Sequence, residues 1–110
     1  MVWAPLRPRA PRARSGRPSD GRALCRRVYG KAFDRLAERM RSLHPSLWEW
    51  ILRDGYGRVL SRPGLPARDR ELLAVAVLAA LRLEPQLEAH VRGALRLGAT
   101  PAQVDDALRA

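Results

Sequence analysis

Few side chains in this sequence are suited to bond-making chemistry. There is one cysteine, Cys25, and there are two histidines, His44 and His90. A lone cysteine excludes an internal disulfide, a thiol pair for redox cycling within the chain and a cysteine-rich zinc site, and it makes a reducing compartment, the cytoplasm, the default. Cys25 itself reads as a small buried hydrophobe. His44 precedes Pro45, and a residue before proline avoids the α region, so it reads as a helix boundary. His90 lies in a segment that places it with Leu87, Val91, Ala94 and Leu95 on or near one helical face.

Charge is plentiful but uneven. The net charge is +10, and residues 1–27 carry eight arginines against Asp20 alone. Residues 1–18 (MVWAPLRPRAPRARSGRP) have too little apolar content to offset the entropy of ordering them, so a disordered Pro/Arg-rich extension is expected there. Two readings stand: an arm for nucleic acid or an anionic surface, or an upstream extension whose arginines reflect coding bias. No apolar core follows the basic residues, so the segment does not read as a secretory signal. The longest apolar run, Leu72 to Leu81, is half the length of about 20 residues that a membrane span needs.

The elements that must position these groups are helices. Apolar residues make up 46% of the chain and aromatics 5%, so the core must be built mostly from Leu, Ala and Val. From an N-cap at Ser19 or Asp20, Leu24, Val28, Ala32, Leu36, Met40 and Leu43 recur every three or four residues and predict one long amphipathic helix. A short helix is expected from Pro45 to about Arg53, then a turn or short helical piece mixed with an irregular connection over Asp54 to Pro66. Ala67 to about Leu83 reads as a helix apolar on every face through LLAVAVLAAL. After a break near Glu84-Pro85, Gln86 to Leu97 forms another, with Gly98 as its C′ residue. Thr100-Pro101-Ala102-Gln103 supplies a capping box for a final helix. The fold class is therefore all-α, with one domain over residues 19–110. A single chain this short cannot surround the all-apolar helix, which predicts self-association.

Three stretches together, YGRVLSRPGL, RELLAVAVLAAL and LEAHVRGALRLGATPAQVDDAL, resemble the carboxymuconolactone decarboxylase pattern of the alkylhydroperoxidase D-like superfamily, over roughly Tyr29 to Ala110. The resemblance implies an all-α fold centred on a helical hairpin and assembled as a trimer or hexamer. The peroxidase branch carries a glutamate, a CxxC pair and a histidine. Glu71 and His90 match the first and last, but the thiol positions fall on Leu83 and Gln86, so thiol peroxidase chemistry is not expected. The decarboxylase-type branch lacks the thiols and keeps the histidine, and its members need no metal or organic cofactor. The chain departs from the pattern in its longer Arg-rich front, and the pattern continues into a further helical segment beyond the position of Ala110.

The activity so implied is cofactor-free decarboxylation of a small acidic lactone in aromatic-compound breakdown. Loss of carbon dioxide leaves an electron pair that spreads into the lactone carbonyl, and the dienolate must then be protonated on carbon. An imidazole can supply the proton, which makes His90 the first candidate, with Glu71 orienting it. From an interhelical turn placed after Leu83, the two are offset by roughly 9 Å along the hairpin, so contact would require a steep crossing, a bridging water or a neighbouring subunit. Arg62 and Arg70 are the candidate carboxylate anchors, and Tyr56 a candidate pocket wall. Gly93 and Ala94 read as packing residues, Trp48 and Trp50 as core or interface anchors, and Arg92 and Arg96 as a solvated face. Two other readings are kept: a non-enzymatic helical oligomer or nucleic-acid-associated module, and a peroxidase-related protein that has lost its thiols.

Overall fold

A computed structural model describes residues 18–110. The expectation for the Pro/Arg-rich segment lies, but for Pro18, outside the described residues. The elements are α1 (Pro18–Tyr29), a 3₁₀ turn (Gly30–Ala32), α2 (Phe33–Leu43), α3 (Pro45–Trp50), a π-helix (Ile51–Leu60), α4 (Ala67–Ala80), α5 (Glu84–Arg96) and α6 (Pro101–Arg109), with no strand among the described residues.

The first helix differs from its prediction at both ends. It is already formed at Pro18, where the described residues begin, so neither Ser19 nor Asp20 is its N-cap. It also stops at Tyr29, because Gly30 takes a φ of +54°, a left-handed conformation that interrupts a right-handed helix, and the periodic apolar pattern resumes in α2. His44 caps α3 as its type and position suggest: its Nδ1 accepts from the Ser46 amide, and Pro45 occupies the first helical turn.

Over Asp54 to Pro66, where a turn or short helical piece mixed with an irregular connection is expected, the chain winds as a π-helix to Leu60 and then turns through residues 61–66. This element packs against α1, and the fit depends on Gly21. A Cβ at that position would run into the Leu52 carbonyl oxygen and stand 2.7 Å from the Gly57 nitrogen. Leu24, Cys25 and Val28 from α1 meet Phe33, Ala37, Trp48, Leu52 and Tyr56 in the main core, so Cys25 is the buried hydrophobe expected of it. Trp48 is buried there, whereas Trp50 is 57% exposed.

Helices α4 and α5 form the hairpin. Each ends in the same motif, in which the residue after the C-cap turns left-handed. For α5 that residue is Gly98 (φ 101°), with Ala99 donating to the Ala94 carbonyl and Gly98 to that of Leu95. For α4 it is Arg82 (φ 56°), with Leu83 donating to Leu78 and Arg82 to Ala79. Helix α4 thus ends at Ala80 and not near Leu83, and Pro85 opens α5 where a break was expected. Thr100 and Gln103 form the reciprocal capping box of α6, which buries Val104 against Ala94 and Ala99. The all-apolar helix is left half-covered: only Glu71 and Val75 are buried, while Leu73, Val77 and Leu81 stay 55%, 56% and 61% exposed.

Candidate functional site

Glu71 stands one turn into α4 and His90 midway along α5. Because α4 stops three residues early, Glu71 lies nine residues before its end and His90 six after the start of α5, an offset of about 4.5 Å at 1.5 Å per residue. Side chains of this length close that gap, and His90 Nδ1 meets Glu71 Oε2 at 2.7 Å. The contact is direct, where the longer predicted helix required a steep crossing, a water or a second subunit.

Glu71 is 2% exposed, and a carboxylate so far from water needs a partner. Gly93, one turn beyond His90, makes the room. A Cβ there would stand 2.6 Å from Val28 Cγ1 and 3.1 Å from Glu71 Oε2, so its absence lets α1, α4 and α5 converge on the carboxylate. Packing is the reason for this glycine, as its sequence position suggests. A carboxylate only accepts, so Nδ1 is the donor, and Nε2 is the ring nitrogen left for a reacting group. The His90 side chain retains 17% exposure, against 3% for that of Glu71.

Two groups at the site carry no signal in the sequence. Tyr29, the last residue of α1, packs edge-on against His90 with ring centroids 6.2 Å apart, and against Tyr56 at 6.3 Å. Burial pushes its phenol up from its ordinary value despite the Tyr56 hydroxyl beside it, so it stays neutral. Arg96, placed on a solvated face by periodicity, reaches back to α1: its Nη1 donates to the Val28 carbonyl at 2.8 Å, and its guanidinium lies where a Gly30 side chain would be. The helical repeat alone could not show that the C-terminal carbonyls of α1 lie within its reach. Arg92 does stay on the surface, paired with Glu88.

The other candidates make different contacts. Tyr56 is 5% exposed in the main core, one ring removed from His90. Arg70 Nη2 donates to the Arg62 carbonyl at 3.2 Å, while its Nε is buried without a partner. Arg62 borders an open hollow of about 320 Å³ between α1 and the turn before α4, with Asp20, Leu24, Arg27 and Leu65. A smaller hollow of about 140 Å³ is bounded by Tyr29, Ala32, Pro85, Ala89, Arg92 and Arg96. Tyr29 is thus common to the His90 contact and to that hollow. Among the described residues no group of three or more His, Cys, Asp or Glu is placed to hold a metal, and no helix is long and apolar enough to cross a membrane.

An all-helical protein with a buried glutamate–histidine pair across a hairpin, and with Leu83 and Gln86 at the thiol positions, is the class these features define. The chain belongs to the carboxymuconolactone decarboxylase family, whose model matches residues 47–110. It is 34% identical over 76 residues to the 4-carboxymuconolactone decarboxylase of Acinetobacter baylyi, covering 69% of this chain and 57% of that protein. It is also 30% identical over 79 residues to peroxisomal protein 2 of Saccharomyces cerevisiae, covering 71% and 28%. With peroxisomal protein 2 of Schizosaccharomyces pombe it shares 34% over 85 residues, covering 76% and 40%. The match therefore spans little more than half of the bacterial relative and less than half of either yeast protein.

Proposed function

We propose that this chain is a cofactor-free lyase, working in the cytoplasm, that removes carbon dioxide from a small carboxylated lactone. The observation that carries the reading is the 2.7 Å contact between His90 Nδ1 and the buried Glu71 carboxylate. Similarity to a 4-carboxymuconolactone decarboxylase supports the substrate class. As the C–C bond to the departing carboxylate breaks, its electron pair moves into the unsaturated lactone carbonyl. The Nε2 proton of a charged imidazole then goes to carbon, solvent restores it, and Glu71 holds the ring in register throughout. Arg62 and Arg70 are proposed to attract the substrate's carboxylates. The test is carbon dioxide release from a panel of small carboxylated lactones by the purified protein. Release that depends on His90 supports the reading, and no release from any of them removes it.

A second reading, a non-enzymatic helical oligomer, is supported by the exposed Leu73, Val77 and Leu81 and accommodates the similarity to the two yeast peroxisomal proteins. Both readings include self-association through Leu73, Val77 and Leu81, supported by their exposure along one face of α4. Sedimentation of the wild type as a monomer at micromolar concentration would remove that part.

A further inference from the structure

Glu71 constrains one nitrogen of the His90 ring, but a single hydrogen bond leaves the plane of the imidazole free to rock about it. Something else must fix that plane if Nε2 is to meet a substrate carbon reproducibly. The only aromatic ring recorded against His90 among the described residues is Tyr29, edge-on with an interplanar angle of 71°. Tyr29 is itself held at two points. Its ring meets Tyr56 at 67°, and the backbone on either side of it is clamped from α5, where Arg96 bonds the Val28 carbonyl and covers Gly30. The clamp and the imidazole are thus carried by the same helix, so the ring and its abutment move together.

We propose that Tyr29 is a positioning residue for the site, its ring edge fixing the orientation of the His90 imidazole so that Nδ1 stays on Glu71 and Nε2 faces the reacting group. The inference rests on the reading of His90 as the proton donor. Its structural core, the control of one imidazole by one phenol ring, is measurable without turnover. Tyr29 acts through His90, and the ring does this work while the hydroxyl does not. A neutral ring also leaves Glu71 as the carboxylate that defines the charge at the imidazole, because burial keeps the phenol from ionising.

The test is nitrogen-15 NMR of the imidazoles in the full chain, where two histidines give two separable sets of signals. In the neutral form of the ring the wild type should show a single Nδ1-protonated tautomer for His90, the form that takes up a proton on Nε2 before each transfer, and a nuclear Overhauser contact between the Tyr29 and His90 rings. Tyr29→Phe should preserve both. Tyr29→Leu should mix the two tautomers, and on any lactone that the wild type turns over it should lower kcat by about 10- to 100-fold while KM moves less than about threefold. A single unchanged tautomer in Tyr29→Leu would overturn the proposal, and so would the absence of the ring-to-ring contact in the wild type, a measurement that stands even if the leucine variant does not fold. If no lactone is turned over, the lyase reading fails while the tautomer result still decides the role of Tyr29.

Discussion

The Glu71 carboxylate and the His90 imidazole, 19 residues apart in sequence, touch at 2.7 Å across a helical hairpin, the carboxylate almost wholly buried and the imidazole partly open. Removing the imidazole leaves a buried carboxylate without its partner, whereas replacing both residues leaves no carboxylate to be stranded. His90→Ala should therefore cost about 2 kcal/mol of stability alone and clearly less in a Glu71→Gln background. Urea denaturation of the four proteins in the cycle measures the difference, and additivity within error would show that the contact contributes nothing to folding.

Gly93 supplies a second check on the same geometry. In Gly93→Ala the new methyl meets Val28 at 2.6 Å and crowds the Glu71 oxygen. The gain in helix propensity is smaller than the cost of overpacking, so the variant should lose about 1–3 kcal/mol. A thermal melt equal to or above that of the wild type would show that α1 and α5 are not so closely apposed.

Much of the fold was legible because it follows local rules. The 3.6-residue repeat marked the helices, Gly98 marked a C-terminus, and Thr100 with Gln103 marked a capping box. Glu71 and His90 were reached through resemblance, since neither has a local signature that sets it apart. What stayed hidden was non-local or ran against type. Nothing in the spacing brings Tyr29 to His90, because their contact depends on how α1 crosses α5. The early end of α4 has no sequence signal because its left-handed residue is Arg82 where glycine is the usual choice, and a helix continued to Leu83 puts the pair about 9 Å out of step.

Arg82 itself is a point of avoidable strain. With φ at 56° its Cβ crowds the backbone, and glycine would not. Arg82→Gly should raise stability by about 1 kcal/mol, read as a higher urea midpoint at unchanged slope. A loss of stability would mean that the arginine side chain makes a compensating contact.

Alkaline pH offers a test of the buried thiol. Burial first, and the nearby Glu71 second, push Cys25 up from 9.0 to about 12. A folded value above the unfolded one means that the stabilisation is fully present below about pH 9 and is lost as pH rises toward 12. Burial raises Tyr29 and Tyr56 as well, and their ionisation acts in the same direction. The urea midpoint should fall steadily above pH 9, and Cys25 should resist thiol reagents at pH 8 until the protein unfolds. Rapid labelling of the native protein at pH 8 would contradict the burial.

The proposed reaction depends most on His90 as the group that moves the proton. The direct measurement is the single-turnover rate of carbon dioxide release from a carboxylated lactone by the wild type and by His90→Ala, with folding of both confirmed by circular dichroism. Release by the wild type and a fall of at least about 100-fold in the variant are expected. Equal rates in the two proteins would contradict that role.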